Sequence, residues 1–562
     1  MQRSTQVSVP KKSLLSMALA SAMGISAGAQ AIGIDTGNSD IDLRLDNTVR
    51  YTLGMRAEGQ DRRIYSNGHY DEGDLKFNRG DLVQNRVDIL TEMDMTYKNQ
   101  MGFRVSAASW YDDAYKDDDI KTNGEPGSYS GNHYSGTTKR YYRGPSGEIL
   151  DAFVFSRFNV GDVPLNLRLG QHTVFWGEGL LFPGHAISYS QAPIDGRKAA
   201  ANPGTETKEI FLPIGQFSGQ AQLTDKFSMA FQYFYDWEST RAPEGGTYFG
   251  APDFGVAGPD RFFLADLSPY GLGQQFAQRV DPKEPNKAGN WGVAAKYNVD
   301  AIDATVGLYY RVFDDYNPGG LQLMDYTSYL GGALTLPKSY RFVYVENTKL
   351  YGASLSKQVG SASVGVDLSY RKGTGLYTPS VGADGKPAIG NTWHLVANAL
   401  WLLPQTPVFD TGSLITEVAY SHLDKVTHNE DLFAGKGYAA CAGQGKWDGC
   451  ATRDFVGVAM NFTPQWLQVF PNIDFEMPVT VNYGVYGNSA TGGGSGNQGS
   501  STYSVGIKAI YDGKHEVTLR YADQYSHSHY DQNKVVTGGN SSSAAYALND
   551  RGYVSLTFKT GF

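Results

Sequence analysis

The sequence predicts an all-β protein of one kind: a transmembrane antiparallel β-barrel of about 18 strands with long outer loops, one of them folded into the lumen. Three observations predict it. From Ile41 to Arg56 the odd positions are Ile41, Leu43, Leu45, Asn47, Val49, Tyr51, Leu53 and Met55, and the even ones are mostly charged or polar, Asp42, Arg44, Asp46 and Arg50 among them. A period of two held this long defines a strand with one apolar face and draws no helical stripe. The chain ends on a second such strand, Val554, Leu556, Phe558 and Phe562 alternating with Ser555, Thr557 and Lys559. An aromatic terminus on a two-faced strand is the form expected of a closing barrel strand, with Phe558 and Phe562 as an insertion signal for the barrel-insertion machinery. Finally, short and long connections alternate along the whole chain, as a barrel with both termini on one side of a membrane requires.

The elements follow in order. Arg3, Lys11 and Lys12 precede the apolar run 14–27, and Ala29 and Ala31 supply small residues for cleavage, so 1–31 reads as a secretory signal peptide and 32–562 as the barrel. Strands are expected near 41–56, 86–98, 101–112, 150–161, 165–173, 216–224, 227–236, 290–298, 302–313, 347–358, 362–372, 391–402, 413–422, 452–463, 477–487, 501–511, 515–523 and 551–562. Tight turns fall at Asn99, Asp162, Asp225, Gly360 and Asp512. Two further inner connections, 403–412 and 464–476, are longer and leave 16 strands as the alternative count. Phe227, Met229, Phe231, Tyr233 and Tyr235 are expected to face lipid, as are Val364, Val366, Leu368 and Tyr370. Tyr97, Tyr111, Tyr235, Trp237, Tyr297, Tyr370, Tyr420, Tyr486 and Tyr511 stand at strand ends, where aromatic rings suit the headgroup level.

Composition agrees with this solvent. The chain has 562 residues with 67 Gly, 37 Tyr, 27 Phe and 13% aromatic residues, yet a mean hydropathy of -0.37. A barrel reconciles these figures, because only alternate strand positions meet lipid. No stretch after the leader supplies the ~18 consecutive apolar residues of a membrane helix. The net charge of -9 and the lack of a basic stripe speak against nucleic acid as a partner. Cys441 and Cys450 are the only cysteines and lie in one Gly-rich loop, the setting of a local disulfide in an exported chain. The localisation that follows is the outer membrane of a Gram-negative cell, with lipid and lipopolysaccharide as surroundings.

Two regions carry candidate chemistry. The inward positions Arg44, Asp46 and Arg50 lie beside Arg86, Asp88 and Glu92 on the next strand, either as a salt-bridged wall or as the lining of a wet channel. The segment 174–215 holds Phe175, Trp176, Leu180, Leu181, Phe182 and Ile187, too much apolar surface for a solvated loop. It is expected to fold into the barrel as a constriction or partial plug, with Phe175, Trp176, Glu178, Phe182, Asp195 and Arg197 gating or touching a ligand; packing against other loops is the alternative. The acid–base pair Asp195 and Arg197 would hold its shape. His172, His185, Ser188, Asp195 and Glu178 share this region, but their spacing forms neither a nucleophile elbow nor a helical metal pair, so no enzyme is expected. Asp112, Asp113, Asp117, Asp118 and Asp119 crowd one outer loop without the order of a calcium-binding loop, and no metal or cofactor is assigned.

The runs Phe77 to Leu82 and Arg86 to Asp88, the block Gly170 to Glu178, and Asp195 with Pro203 and Gly204 resemble DUF1302, a family of outer-membrane proteins of about this length. That resemblance implies traffic of hydrophobic or amphipathic molecules, in company with periplasmic lipid-carrier-like DUF1329 proteins. It brings no agreed catalytic residues. Passive passage of such a molecule is the first expectation. A closed barrel that docks partners and a porin for polar solutes are the alternatives.

Overall fold

A computed structural model describes residues 32–201, 207–492 and 496–562. The expected signal peptide, Pro203 and Gly204, and the centre of the Gly/Ser loop lie outside them. The wall runs through β1 (Ile41–Arg56), β2 (Leu82–Tyr97), β3 (Met101–Asp112), β4 (Ser146–Val160), β5 (Val163–His172), β6 (Ile214–Gln222) and β7 (Phe227–Phe234). It continues with β8 (Trp291–Val299), β9 (Ala304–Phe313), β10 (Thr348–Val359), β11 (Ala362–Gly375), β12 (Ile389–Leu403) and β13 (Thr411–His428). It is completed by β14 (Asp454–Phe470), β15 (Ile473–Glu476 and Val479–Tyr486), β16 (Ser501–Tyr511), β17 (His515–Tyr525) and β18 (Tyr553–Gly561). Each strand pairs antiparallel with the next, and β18 closes on β1 from Thr48↔Gly561 to Arg56↔Tyr553. The short strand Ile32–Ile34 takes the part of the β1 edge that β18 does not reach, Leu43 to Leu45.

The count is therefore 18, not 16. The longer connection expected at 464–476 lies among three prolines, Pro464, Pro471 and Pro478. In fact β14 runs on to Phe470 and reverses at Pro471 and Asn472, while β15 breaks at Met477 and Pro478. Each proline removes one ladder donor, and the ladder is bridged there by Met477 N–H to the Pro464 carbonyl at 3.1 Å. The stretch between β12 and β13 remains a connection.

The wall is inverted relative to a water-soluble protein. Leu308 and Ile507 are 60% and 56% exposed on the outside, while Asp367 and Arg371 on the inside are 1% and 0% exposed. Only lipid satisfies such an exterior, and a closed ladder is the sheet form that leaves no backbone edge in it. Met229, Tyr233 and Tyr235 face out, and Gln232 and Phe234 face in, as parity predicts. Trp237 departs from the expectation. Beyond Phe234 the backbone leaves the sheet, and the indole is buried on Tyr316 and Tyr344 rather than placed among headgroups.

The outer loops form a second layer that the strand count did not foresee. Arg261–Asp266, Gln274–Arg279, Pro318–Met324, Ser339–Tyr344 and Ser380–Val381 make a small mixed sheet from three different loops. Tyrosines from two outer loops, Tyr115, Tyr129, Tyr134 and Tyr142 from one and Tyr248 from the other, pack with Phe77 over the mouth. Their hydroxyls find buried carbonyls: Tyr129 donates to Gly245 at 2.7 Å and Tyr134 to Gly246 at 2.6 Å. Cys441 and Cys450 are joined in a disulfide within the loop that follows β13.

Candidate functional site

The segment between β5 and β6 enters the barrel and is seated on the wall by charged side chains that bind its backbone. Near its start, Asp367 on β11 accepts hydrogen bonds from the Glu178, Gly179 and Ile187 amides at 2.8, 3.1 and 3.2 Å. Glu417 on β13 accepts from Leu180, Leu181 and Phe182 at 2.6, 2.7 and 2.5 Å. The carbonyls go to cations. Arg371 on β11 donates to Gly184 and Ala186 at 2.9 and 3.1 Å, and Arg311 on β9 donates to Ile187, Tyr189 and Ser190 at 2.9, 2.7 and 2.6 Å. An irregular chain buried inside a protein must pair these groups somewhere, and the wall supplies acceptors to its amides and donors to its carbonyls. Gly177 has φ +95, and a Cβ there would stand 2.5 Å from the Asp367 carboxylate, so only glycine permits this approach.

The apolar side chains of the segment serve the same seating. Trp176 is 6% exposed and packs with Ile187, Tyr309, Phe313 and Leu350; Phe182 packs with Val396, Ala419 and Ala459. Trp176 and Phe182 thus bury most of their area against the wall. Phe175 stays 41% exposed beside the Phe211 ring at 4.7 Å. Glu178 reaches Lys296 on β8 at 3.6 Å. His185 meets His394 at 2.9 Å and stacks on Phe455.

The later part of the segment docks on the opposite arc. Asp195 and Arg197 do not pair with each other, because they flank the start of the short helix Gly196–Ala201 and diverge. Asp195 lies 3.3 Å from Arg241 and caps the Lys198 amide at 3.1 Å, while Arg197 pairs with Glu244 at 2.6 Å. Lys198 reaches Glu148 on β4 at 2.7 Å, and Glu209 reaches Arg50 on β1 at 3.1 Å. Asp195, Arg197 and Lys198 border a cavity between β2, β3 and the segment, lined also by Arg86, Trp110 and Tyr141. Arg50 lies 3.6 Å from Asp88, which Arg86 holds at 2.9 Å. Glu92 pairs with Arg104, and Asp46 is half-buried on the same face. Arg44 pairs with Asp42 and is largely exposed. This arc is a salt-bridged wall over its upper part.

Asp367, Arg371, Arg311 and Glu417 escaped the sequence reading. For three of them a signal was present: Asp367 between Val366 and Leu368, Arg311 between Tyr310 and Val312, and Glu417 between Thr416 and Val418 are lone inward charges, whereas Arg371 is followed by Lys372 and does not stand out. In the acidic loop, Asp118 and Asp119 share His133, but Lys139 already neutralises Asp118, and Asp112 is buried as an acceptor for the Asn85 and Ala114 amides.

A family model described as protein of unknown function, DUF1302, matches residues 12–562. Among solved structures, the outer membrane channel DcaP of Acinetobacter baumannii is similar at 9% identity and a TM-score of 0.35, over 94% of this chain and 99% of that one. OccAB1 of the same organism is similar at 9% identity and 0.41, over 95% and 98%. The outer membrane protein opdK of Pseudomonas aeruginosa is similar at 9% and 0.38, over 93% and 99%. No curated protein matches the chain.

Proposed function

The chain belongs to the DUF1302 family, and from that premise we propose that it is a passive outer-membrane channel for a hydrophobic or amphipathic small molecule. The observation that carries this reading is the seated segment. A barrel that served only as a scaffold has no need of an inner segment bound amide by amide to Asp367 and Glu417 and carbonyl by carbonyl to Arg311 and Arg371. Such binding would fix the cross-section past which a solute moves. No energy source is invoked, since a solute crosses a passive channel down its own concentration gradient. A periplasmic carrier of the DUF1329 type would take the solute up at the inner mouth. Insertion into lipid and lipopolysaccharide would rely on Phe558 and Phe562 as the terminal signal.

A second reading, a barrel closed to solutes, draws on the burial of Trp176, Phe182 and Ile187 against the wall. Two experiments separate them. Cells lacking the protein are compared with complemented cells for uptake of a labelled hydrophobic compound; equal uptake removes the channel reading. A barrel lacking 176–190 is compared with the intact one in a planar bilayer, where conductance is expected to rise. Unchanged conductance in a folded barrel removes the constriction.

A further inference from the structure

Inward cations of this barrel are generally satisfied by the protein itself: Arg50 by Glu209, Arg86 by Asp88, Lys508 by Glu476, and Arg311 and Arg371 by carbonyls of the segment. Two on neighbouring strands are not. Arg157 on β4 and Arg168 on β5 have no carboxylate or carbonyl on their guanidinium groups among the described residues. Both face inward, since Val154, Phe158 and Leu169 at the opposite parity are 54%, 44% and 51% exposed to the outside. The register pairs Phe155 with Arg168 and Arg157 with Asn166, which makes the two arginines diagonal neighbours on one face. Arg157 is exposed although it faces inward, so this part of the lumen is open to water.

Their surroundings are aromatic rather than acidic. The Arg157 guanidinium lies 5.2 Å from the Phe155 ring and that of Arg168 lies 5.7 Å from Phe153. The two phenyl rings are 6.5 Å apart. Phe153 stands opposite Gly170, where a Cβ would come within 2.6 Å of the Phe153 backbone, so the ring crosses the bare glycine and meets His172 at 5.2 Å. The nearest carboxylate, Asp151, is turned to Arg104 and Ser106 at 3.4 and 3.1 Å. Two like charges held side by side on apolar rings repel each other, and an incoming anion relieves that repulsion. A guanidinium fork matches a carboxylate with two parallel hydrogen bonds, and the rings accept a hydrocarbon body.

We propose that Arg157, Arg168, Phe153 and Phe155 form a binding subsite for an amphipathic organic carboxylate, with the anion between the guanidinium groups and its apolar body on the phenyl rings. This rests on the reading of the lumen as a solute path and narrows the solute to an anion. The subsite lies on the strand pair from which the seated segment departs, on the side of the inner turn that joins β4 to β5.

The test is equilibrium dialysis on the full barrel in lipid nanodiscs at low salt, with 4-phenylbutyrate as the anionic probe and 4-phenylbutanamide as its neutral counterpart. The intact protein is expected to bind the anion about 10-fold more tightly than the amide, and Arg157→Gln with Arg168→Gln to remove that preference while amide binding is unchanged. Equal binding of the two probes by the intact protein overturns the subsite, as does a double variant that keeps the preference. If the double variant fails to fold, as judged by gel mobility before and after boiling, Arg157→Gln alone is read in the same assay, because Arg157 is exposed and the fold leans on it least. Liposome flux is measured in parallel. Charge-selective binding without flux sinks the channel reading and leaves the subsite standing; flux without charge preference does the reverse.

Discussion

Replacing Glu417 with glutamine tests directly how the segment is held. One carboxylate oxygen accepts from Leu181 and Phe182 at 2.7 and 2.5 Å, and the other from Leu180 at 2.6 Å and from the Asn398 amide at 3.2 Å. A glutamine has a single acceptor oxygen. In its better orientation it keeps the Leu181 and Phe182 amides and turns its own NH2 toward two donors. The Leu180 amide is then buried without a partner, at about 1–3 kcal/mol, and the two surviving bonds lose their charge assistance at about 0.5–1 kcal/mol each. The sum is about 3 kcal/mol against docking of 180–182, or about 100-fold in the open population. Hydrogen exchange followed by mass spectrometry on peptides covering 178–190 reads this directly, with strands β11 to β13 as the internal control. Exchange of that peptide should speed about 100-fold while the strand peptides stay protected. Unchanged exchange in a folded E417Q barrel refutes the claim that wall carboxylates hold the segment.

Further outcomes follow from other parts of the molecule. Trp176→Ala should loosen the segment by about 3–5 kcal/mol through the cavity it leaves, seen as faster exchange of the same peptide; an unaltered rate contradicts its packing role. In the outer loops, burial raises the carboxyl of Asp71 to about 6 and that of Glu72 to about 8, and it lifts Asp253, beside both acids, well above the usual range. Groups raised by folding add stability that is complete below the ordinary carboxylate pKa and is lost as pH rises through these values. Protease nicking of 61–75 and 250–258 should therefore increase between pH 5 and pH 9, and Asp253→Asn should flatten the profile; a flat profile in the unmodified protein contradicts the assignment. Reduction of Cys441 and Cys450, which close a loop of sequence separation 9, should free that loop by about 2–3 kcal/mol and leave the unboiled gel mobility of the barrel intact. Phe562→Ala should lower the amount of folded barrel in the membrane fraction, whereas normal insertion would remove the terminal signal.

Much of the wall was legible because lipid enforces one rule at every second residue. The expectation for 41–56 coincides with Ile41–Arg56, and 501–511 with Ser501–Tyr511. The rule fails where lipid is not the neighbour. The loop strands Gln274–Arg279 and Ser339–Tyr344 pair in parallel, Gln278 with Ser339 and Arg279 with Tyr340, and no local pattern announces so distant a partner. The strand expected at 452–463 runs on through Pro464 to Phe470, past a residue that cannot donate to the ladder. At the candidate site the apolar run 174–187 marked the segment, but its partners were out of sight. Asp195 and Arg197 are two residues apart in sequence and find their charges on Arg241 and Glu244, in a loop beyond β7.

The two anchorages of the inner segment lie half a circumference apart: β9, β11, β12 and β13 on one arc, β1 and β4 on the other. A chain fastened to both sides of a hoop acts as a spoke. Lateral pressure from the bilayer that would flatten the cylinder must first stretch or shear that spoke, so the bore stays round. Loss of either fastening should be felt across the diameter, as a wall that ovalises more easily in a thick or stiff membrane.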